Sequence, residues 1–267
     1  MATLQQQDKK LKLPKDRPLI VAVVLFDGFE LLDIAAPVEL LQAERNEFRL
    51  VYCVAGNPKN PRYSSCMKSL RGDNGPAFQP THEMVFNSDG RSVLKNIEEE
   101  NVDEEANCLI HDIILIPGGI GVRKIVSGED YKNPDDTSLL KNWIEKACVH
   151  PSTKVVFTIC TGSWLIGHLG LLDGKTATSN KTSLAYGKPQ SAAPKCDWNL
   201  KARWVEFFED SNSGKKLWLT SSGVSAGGDA ALALIEIIHG EKMAKEIAKN
   251  AEWNWHRDKD SDPFYIG

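Results

Sequence analysis

Leu19-Ile-Val-Ala-Val-Val-Leu-Phe26 is an unbroken apolar run of strand length. Continuous rather than alternating hydrophobicity predicts a strand covered on both faces, as in a parallel sheet. Asp27-Gly28 turns the chain, and Glu30 to Glu44 follows a helical pattern in which Pro37 predicts a kink or a restart. Phe48 to Ala55 reads as a second strand and completes a βαβ unit. Asp112-Ile-Ile-Leu-Ile-Pro117-Gly118-Gly119 is another buried strand that ends in a glycine turn. A helix is predicted from about Thr137 to Cys148, a strand over 154–159, and a helix from Ser163 to near Gly170. Lys175-Thr-Ala-Thr178, 202–208 and 216–220 read as later strands, with Ser225 to His239 and Glu241 to Trp253 as closing helices. This alternation predicts an α/β fold: a doubly wound, mostly parallel sheet with helices on both faces.

Two stretches stand apart. Residues 1–17 are polar and Lys-rich and read as a flexible arm, leaving 18–267 as a single domain. Residues 57–107 have weak periodicity and much Pro, Gly, Asn and Glu, so they read as an insertion. A structureless loop of that length is unusual in a compact domain. Short hairpin strands are therefore expected around Ala77-Phe78 and Met84-Val85-Phe86, with Glu98-Glu99-Glu100 as a solvated acidic segment.

Composition narrows the class of protein. The 267 residues are 42% hydrophobic and 25% charged, ordinary values for a globular chain that buries a sizeable core. A net charge of −4 argues against general affinity for nucleic acid or anionic membranes. The N-terminus has no apolar segment typical of a secretory signal, and no apolar run has the length of a membrane span. Cys53, Cys66, Cys108, Cys148, Cys160 and Cys196 form no C-x-x-C pair and no zinc spacing. A reducing, cytoplasmic setting without metal is the expectation.

The chemistry concentrates in Val155-Val-Phe-Thr-Ile-Cys160-Thr161-Gly162-Ser-Trp. A buried strand runs into a cysteine, a glycine follows two places on, and a helix begins. That is the grammar of a nucleophile elbow, which turns one reactive side chain out at the carboxyl end of a strand. A thiol at a helix N-terminus is expected to favour its thiolate. The alternative is that Cys160 is simply a small buried hydrophobe. In an open parallel sheet, sites form outside the carboxyl ends of the strands. Strand one leads to Asp33, the central strand to Gly118-Gly119, and the elbow strand to Cys160. Neighbouring strands would bring a carboxylate, a glycine-rich backbone and a thiol to one pocket. Asp27 reads as a turn residue, and none of His82, His111, His150, His168, His239 and His256 stands at a strand end.

These motifs resemble the ThiJ/PfpI superfamily, a branch of the class I glutamine amidotransferase-like fold. The resemblance rests on Thr158-Ile-Cys160-Thr161-Gly162-Ser163, Gly170-Leu-Leu-Asp-Gly174-Lys-Thr-Ala-Thr178 and Phe26-Asp27-Gly28-Phe29 with Leu32-Asp33 and Pro37. Ile116-Pro117-Gly118-Gly119 and Ser222-Gly223-Val224-Ser225-Ala226-Gly227-Gly228-Asp229 complete it, spanning about residues 19 to 255. It implies a flavodoxin-like fold and usually a homodimer acting on a small molecule. An Asp in the first βα segment with a Cys-Thr-Gly elbow resembles the isonitrile hydratase branch. That likeness implies Cys160 as nucleophile, Asp33 as acid and base, Thr161 as helper, and oxyanion donors from the backbone at Gly118, Gly119 and Thr161, with no cofactor. The implied reaction is addition of water to an isonitrile, giving an N-substituted formamide through a Cys160 thioimidate. Asn180-Lys181 stands where bacterial relatives tend to carry His-Trp, which weakens a histidine-assisted protease or amidotransferase reading. The alternatives are a glyoxalase or deglycase acting on methylglyoxal-type aldehydes, and a non-enzymatic oxidative-stress sensor or chaperone. Some gene-regulatory relatives fuse this domain to a helix-turn-helix module; none is visible here, so no DNA-binding role is expected.

Overall fold

A computed structural model describes residues 11–43, 47–65, 75–98, 108–128, 134–211 and 214–266. The first ten residues of the arm, Cys66, Glu99 and Glu100 lie outside the described residues, as do 66–74 and 99–107 of the expected insertion.

Nine strands form the main sheet: β1 Leu19–Leu25, β2 Phe48–Val54, β3 His82–Phe86, β4 Ser92–Asn96, β5 Cys108–Leu109, β6 Ile113–Ile116, β7 Val155–Thr158, β8 Trp204–Ser211 and β9 Gly214–Ser221. Their order is β8-β9-β7-β6-β1-β2-β3-β4-β5. The centre, from β9 to β3, is parallel throughout, and antiparallel pairs close both edges. All seven residues of β1 and all four of β6 and of β7 are buried, so both faces of the central sheet are covered. The unbroken apolar runs have this cause: no position on these strands meets water.

The helices are α1 Leu31–Gln42, α2 Ile120–Ser127, α3 Pro134–Val149, α4 Gly162–His168, α5 Lys181–Ala185, α6 Lys188–Ala192, α7 Ala226–His239 and α8 Glu241–Asn250. The α1 helix packs on α7 and α7 on α8, while α2 packs on α4 and α4 on α6. Pro37 lies inside α1 without ending it. It merely leaves the carbonyl of Asp33, four residues back, without its helical donor.

The insertion carries short strands where they were expected: β3 and β4 extend the main sheet, while Arg62–Ser65 pairs with Ala77–Phe78 and with Phe29–Glu30 in a small separate sheet. Two expectations change. Thr176–Ala177 pairs with Asp197–Trp198 instead of joining the main sheet. The segment after Asn180 carries two short helices that its pattern did not reveal.

The C-terminal segment is tied to the sheet by buried polar groups. Arg203 donates from Nε to Asp229 Oδ2 at 2.7 Å, and Asp229 Oδ1 also accepts from Trp253 Nε1 at 2.9 Å and the His256 N–H at 3.1 Å. The Arg203 N–H in turn donates to the Lys259 carbonyl.

Candidate active site

The strands β7, β6 and β1 are neighbours in the sheet, so the ends that lead to Cys160, Gly118-Gly119 and Asp33 converge. Cys160 follows β7 with φ 56°, one of only two non-glycine residues with positive φ among the described residues. A non-glycine residue held there costs of order 1–3 kcal/mol and persists only when its surroundings enforce it. They do. The Cys160 N–H donates to the Ser222 carbonyl at 2.9 Å, and the Cys160 carbonyl accepts from Ser163 Oγ at 3.1 Å and Ser179 Oγ at 2.9 Å. The elbow is therefore gripped from α4, from the loop after Thr178 and from the turn that follows β9.

Asp33 lies in the first turn of α1 and is fully buried. Its Oδ2 accepts the Gly118 N–H at 2.8 Å, while Oδ1 has no donor in hydrogen-bonding geometry among the described residues. Burial pushes its pKa well above the ordinary carboxylate value; the Gly118 N–H and the nearby Cys160 thiol pull it down, and the charge of Glu30 raises it. A helix N-terminus favours an anion by about 0.3–1 kcal/mol. Desolvating a carboxylate costs several kcal/mol, so burial outweighs the dipole and favours the protonated form.

Cys160 is 6% exposed. Burial drives its pKa up and the charge of Asp33 adds to the rise, against the Thr161 N–H and the positive charge of Arg123. The expectation of a resting thiolate is corrected on this point. The α4 helix is only seven residues long and its first turn is buried, so desolvation outweighs its dipole. Burial thus favours the neutral form of the thiol and of the carboxyl beside it.

The glycine turn is shaped by contact. A Cβ on Gly118 would stand 2.5 Å from the Thr161 backbone nitrogen and 2.9 Å from Cys160 Cβ. Gly119 has φ 122°, and its Cβ would stand 2.3 Å from the Gly28 carbonyl oxygen. Only glycine lets these backbones approach so closely. Both glycine N–H groups are already engaged, however. Gly118 gives its own to Asp33, and Gly119 gives its own to Thr161 Oγ1 at 2.9 Å. The expectation of free oxyanion donors at Gly118 and Gly119 is therefore not met in this state. The Thr161 N–H is directed at the Cys160 sulfur.

Three contributors were not singled out from sequence. Glu30 caps the start of α1, donates its N–H to the Gly118 carbonyl at 2.9 Å, and has a half-buried carboxyl whose pKa burial raises. Arg123 lies one turn into α2, and Ser222 holds the elbow amide. A carboxylate three residues before Asp33, on one helical face, was a usable signal for Glu30. Asn180 begins α5, where its Oδ1 accepts the Ser183 N–H at 3.0 Å. Asp27 stays in the turn and is exposed. Among the described residues no three His, Cys, Asp or Glu side chains are grouped to hold a metal ion, and no helix is long and apolar enough to cross a membrane.

Comparison with known proteins bears on the family and the fold. The sequence pattern of the DJ-1/PfpI family matches residues 20–237. The isonitrile hydratase of Pseudomonas putida is 29% identical over 147 residues, 55% of this chain and 54% of that protein. The HTH-type transcriptional regulator GbdR of Pseudomonas aeruginosa is 25% identical over 237 residues, 88% of this chain and 51% of that protein. The chain thus spans about half the length of these curated relatives. The crystal structure of a ThiJ/PfpI family protein from Pseudomonas syringae superposes with a TM-score of 0.58 at 19% identity, covering 96% of this chain and 81% of that one.

Proposed function

The chain belongs to the DJ-1/PfpI family, and we propose that within it the protein hydrates an isonitrile to an N-substituted formamide, with Cys160 as nucleophile and Asp33 as acid and base. The observation that carries the reading is a fully buried carboxyl, held by the Gly118 N–H and favoured by burial in its protonated form, beside an elbow thiol. The terminal carbon of an isonitrile is electron-rich until it is protonated, so the reaction needs an acid as much as a nucleophile.

The cycle balances with these two groups. Asp33 gives its proton to the terminal carbon as the Cys160 sulfur bonds to that carbon, and the thiol proton replaces the one Asp33 lost. The product is a thioimidate. Asp33 then protonates the nitrogen as water attacks the same carbon, and its carboxylate takes a proton from that water. The C–S bond breaks as the adduct's hydroxyl loses its proton to form the carbonyl, the departing sulfur takes up that proton, and the formamide departs. Thr161, hydrogen-bonded to Gly119, fixes the turn that faces the sulfur. The identity to a hydratase over half the chain supports the same reading.

The test is product analysis with an aryl isonitrile and with methylglyoxal, side by side. Formamide should appear with the isonitrile, and Asp33→Asn should slow it by about 10²–10⁴-fold, the usual worth of general acid–base catalysis. Consumption of methylglyoxal alone would replace hydration with the glyoxalase reading. Saturable binding without turnover of either would assign the pocket to ligand sensing, which the match to a transcriptional regulator over 88% of this chain would favour.

A further inference from the structure

The rim of the site carries more hydrogen-bond donors than the reaction at Cys160 uses. Arg123 is exposed on α2, and its Nη2 leans to 3.4 Å from the hydroxyl of the buried Ser183 on α5. Among the described residues no carboxylate pairs with this guanidinium. Ser183 is bonded through its N–H to Asn180 Oδ1. This fixes the amide so that Nδ2 faces Gly223, within 3.0 Å of where a Cβ would stand on that residue. Nδ2 has no acceptor among the described residues. Gly223 directly follows Ser222, whose carbonyl holds the Cys160 N–H. Arg123, Ser183, Asn180 and the 222–223 turn thus form one connected wall leading to the thiol, and its side chains present donors.

We propose that this wall, with Arg123 as its anchor, binds a carboxylate carried by the substrate and so presents the reacting carbon to Cys160. A guanidinium offers a planar fork that matches the two oxygens of a carboxylate, and the Asn180 amide adds a neutral donor. A monoanion fits better than a phosphate. Arg123 is the exposed cation of the wall, the Lys181 ammonium being buried against Thr178 Oγ1 and the Ala202 carbonyl, and the carboxyl of Glu30, whose N–H holds the Gly118 carbonyl, would repel a second negative charge. The contacts that run from Arg123 through Ser183 and Asn180 to the 222–223 turn end at Cys160, so a carboxylate bound at Arg123 places the rest of the substrate toward that residue. The assignment deepens the hydratase reading by naming its substrate class: isonitriles that bear a carboxylate.

Two measurements separate this assignment from the reaction it rests on. The first compares isocyanoacetate with its methyl ester, substrates that differ at the site only in charge. The ratio of kcat/KM for acid over ester should fall about 10- to 100-fold in Arg123→Gln, the scale of a lost charge-assisted hydrogen bond. Arg123→Lys should restore part of it, because the charge remains and the fork does not. The second needs no hydration. Iodoacetate and iodoacetamide both alkylate a thiol, the sulfur bonding to carbon as iodide leaves and the thiol proton passes to solvent. The iodoacetate-to-iodoacetamide rate ratio at Cys160, read by mass mapping, should fall several-fold in Arg123→Gln and weaken with added salt. An unchanged alkylation ratio overturns the assignment whether or not isonitriles are hydrated. So does a Cys160 that neither reagent reaches. A changed ratio without hydration keeps the carboxylate site and refutes the hydratase.

Discussion

Asp33→Asn should stabilise the fold while it disables the site, and the gain should grow with pH. In the unfolded chain Asp33 titrates near 3.8, whereas burial raises its folded pKa well above that. A group raised on folding contributes its full stability below the unfolded pKa and loses it as pH rises toward the folded one. Over that interval the folded protein holds one proton that the unfolded chain has released. The wild type should therefore lose about 1.4 kcal/mol per pH unit relative to the variant. Asparagine is the right probe because its Oδ1 can still accept the Gly118 N–H that Asp33 Oδ2 accepts at 2.8 Å. Its amide never titrates. Urea denaturation of both proteins at pH 4.5, 5.5, 6.5 and 7.5 gives the difference directly, and other titrating groups cancel in it. A difference that stays flat above pH 4.5 would mean that Asp33 is ionised in the folded state. It would then have no proton to deliver, and the proposed first step would fall.

Two more predictions follow from contacts at the site and behind it. Gly118→Ala should lower activity at least as severely as it lowers stability. The new Cβ would press on the Thr161 nitrogen at 2.5 Å and on Cys160 Cβ at 2.9 Å, so Cys160 moves away from Asp33; kcat beside the denaturation midpoint checks this. Asp229→Ala should cost up to about 3–5 kcal/mol, since it removes the carboxylate that holds the buried Arg203 cation at 2.7 Å and leaves it only Asp262 at 3.7 Å. Chemical denaturation measures the loss, and Asp229→Asn, which keeps acceptors for Trp253 and His256, should lose less.

The convergence of the site was legible in the sequence because it depends on strands that are buried on both faces. Such strands write themselves as continuous apolar runs, and each of the three ends in a residue with distinct chemistry: Asp33 beyond β1, Gly118-Gly119 after β6, Cys160 after β7. Parallel packing of β1, β6 and β7 then brings those ends together without further information. Shorter elements left no such trace. The five residues of α5 and the two of β5 hold little more than one repeat of their patterns, too short for a periodicity to be read. The donors on the rim therefore came into view only with the fold. The proton inventory was illegible for a different reason. A cysteine before a helix and an aspartate in a first turn each suggest a stabilised anion when read locally. Their actual state depends on the burial created by residues far along the chain. The same burial that should cost the fold stability as pH rises favours the protonated carboxyl beside the thiol, and an acid in that position is what the first step of isonitrile hydration requires.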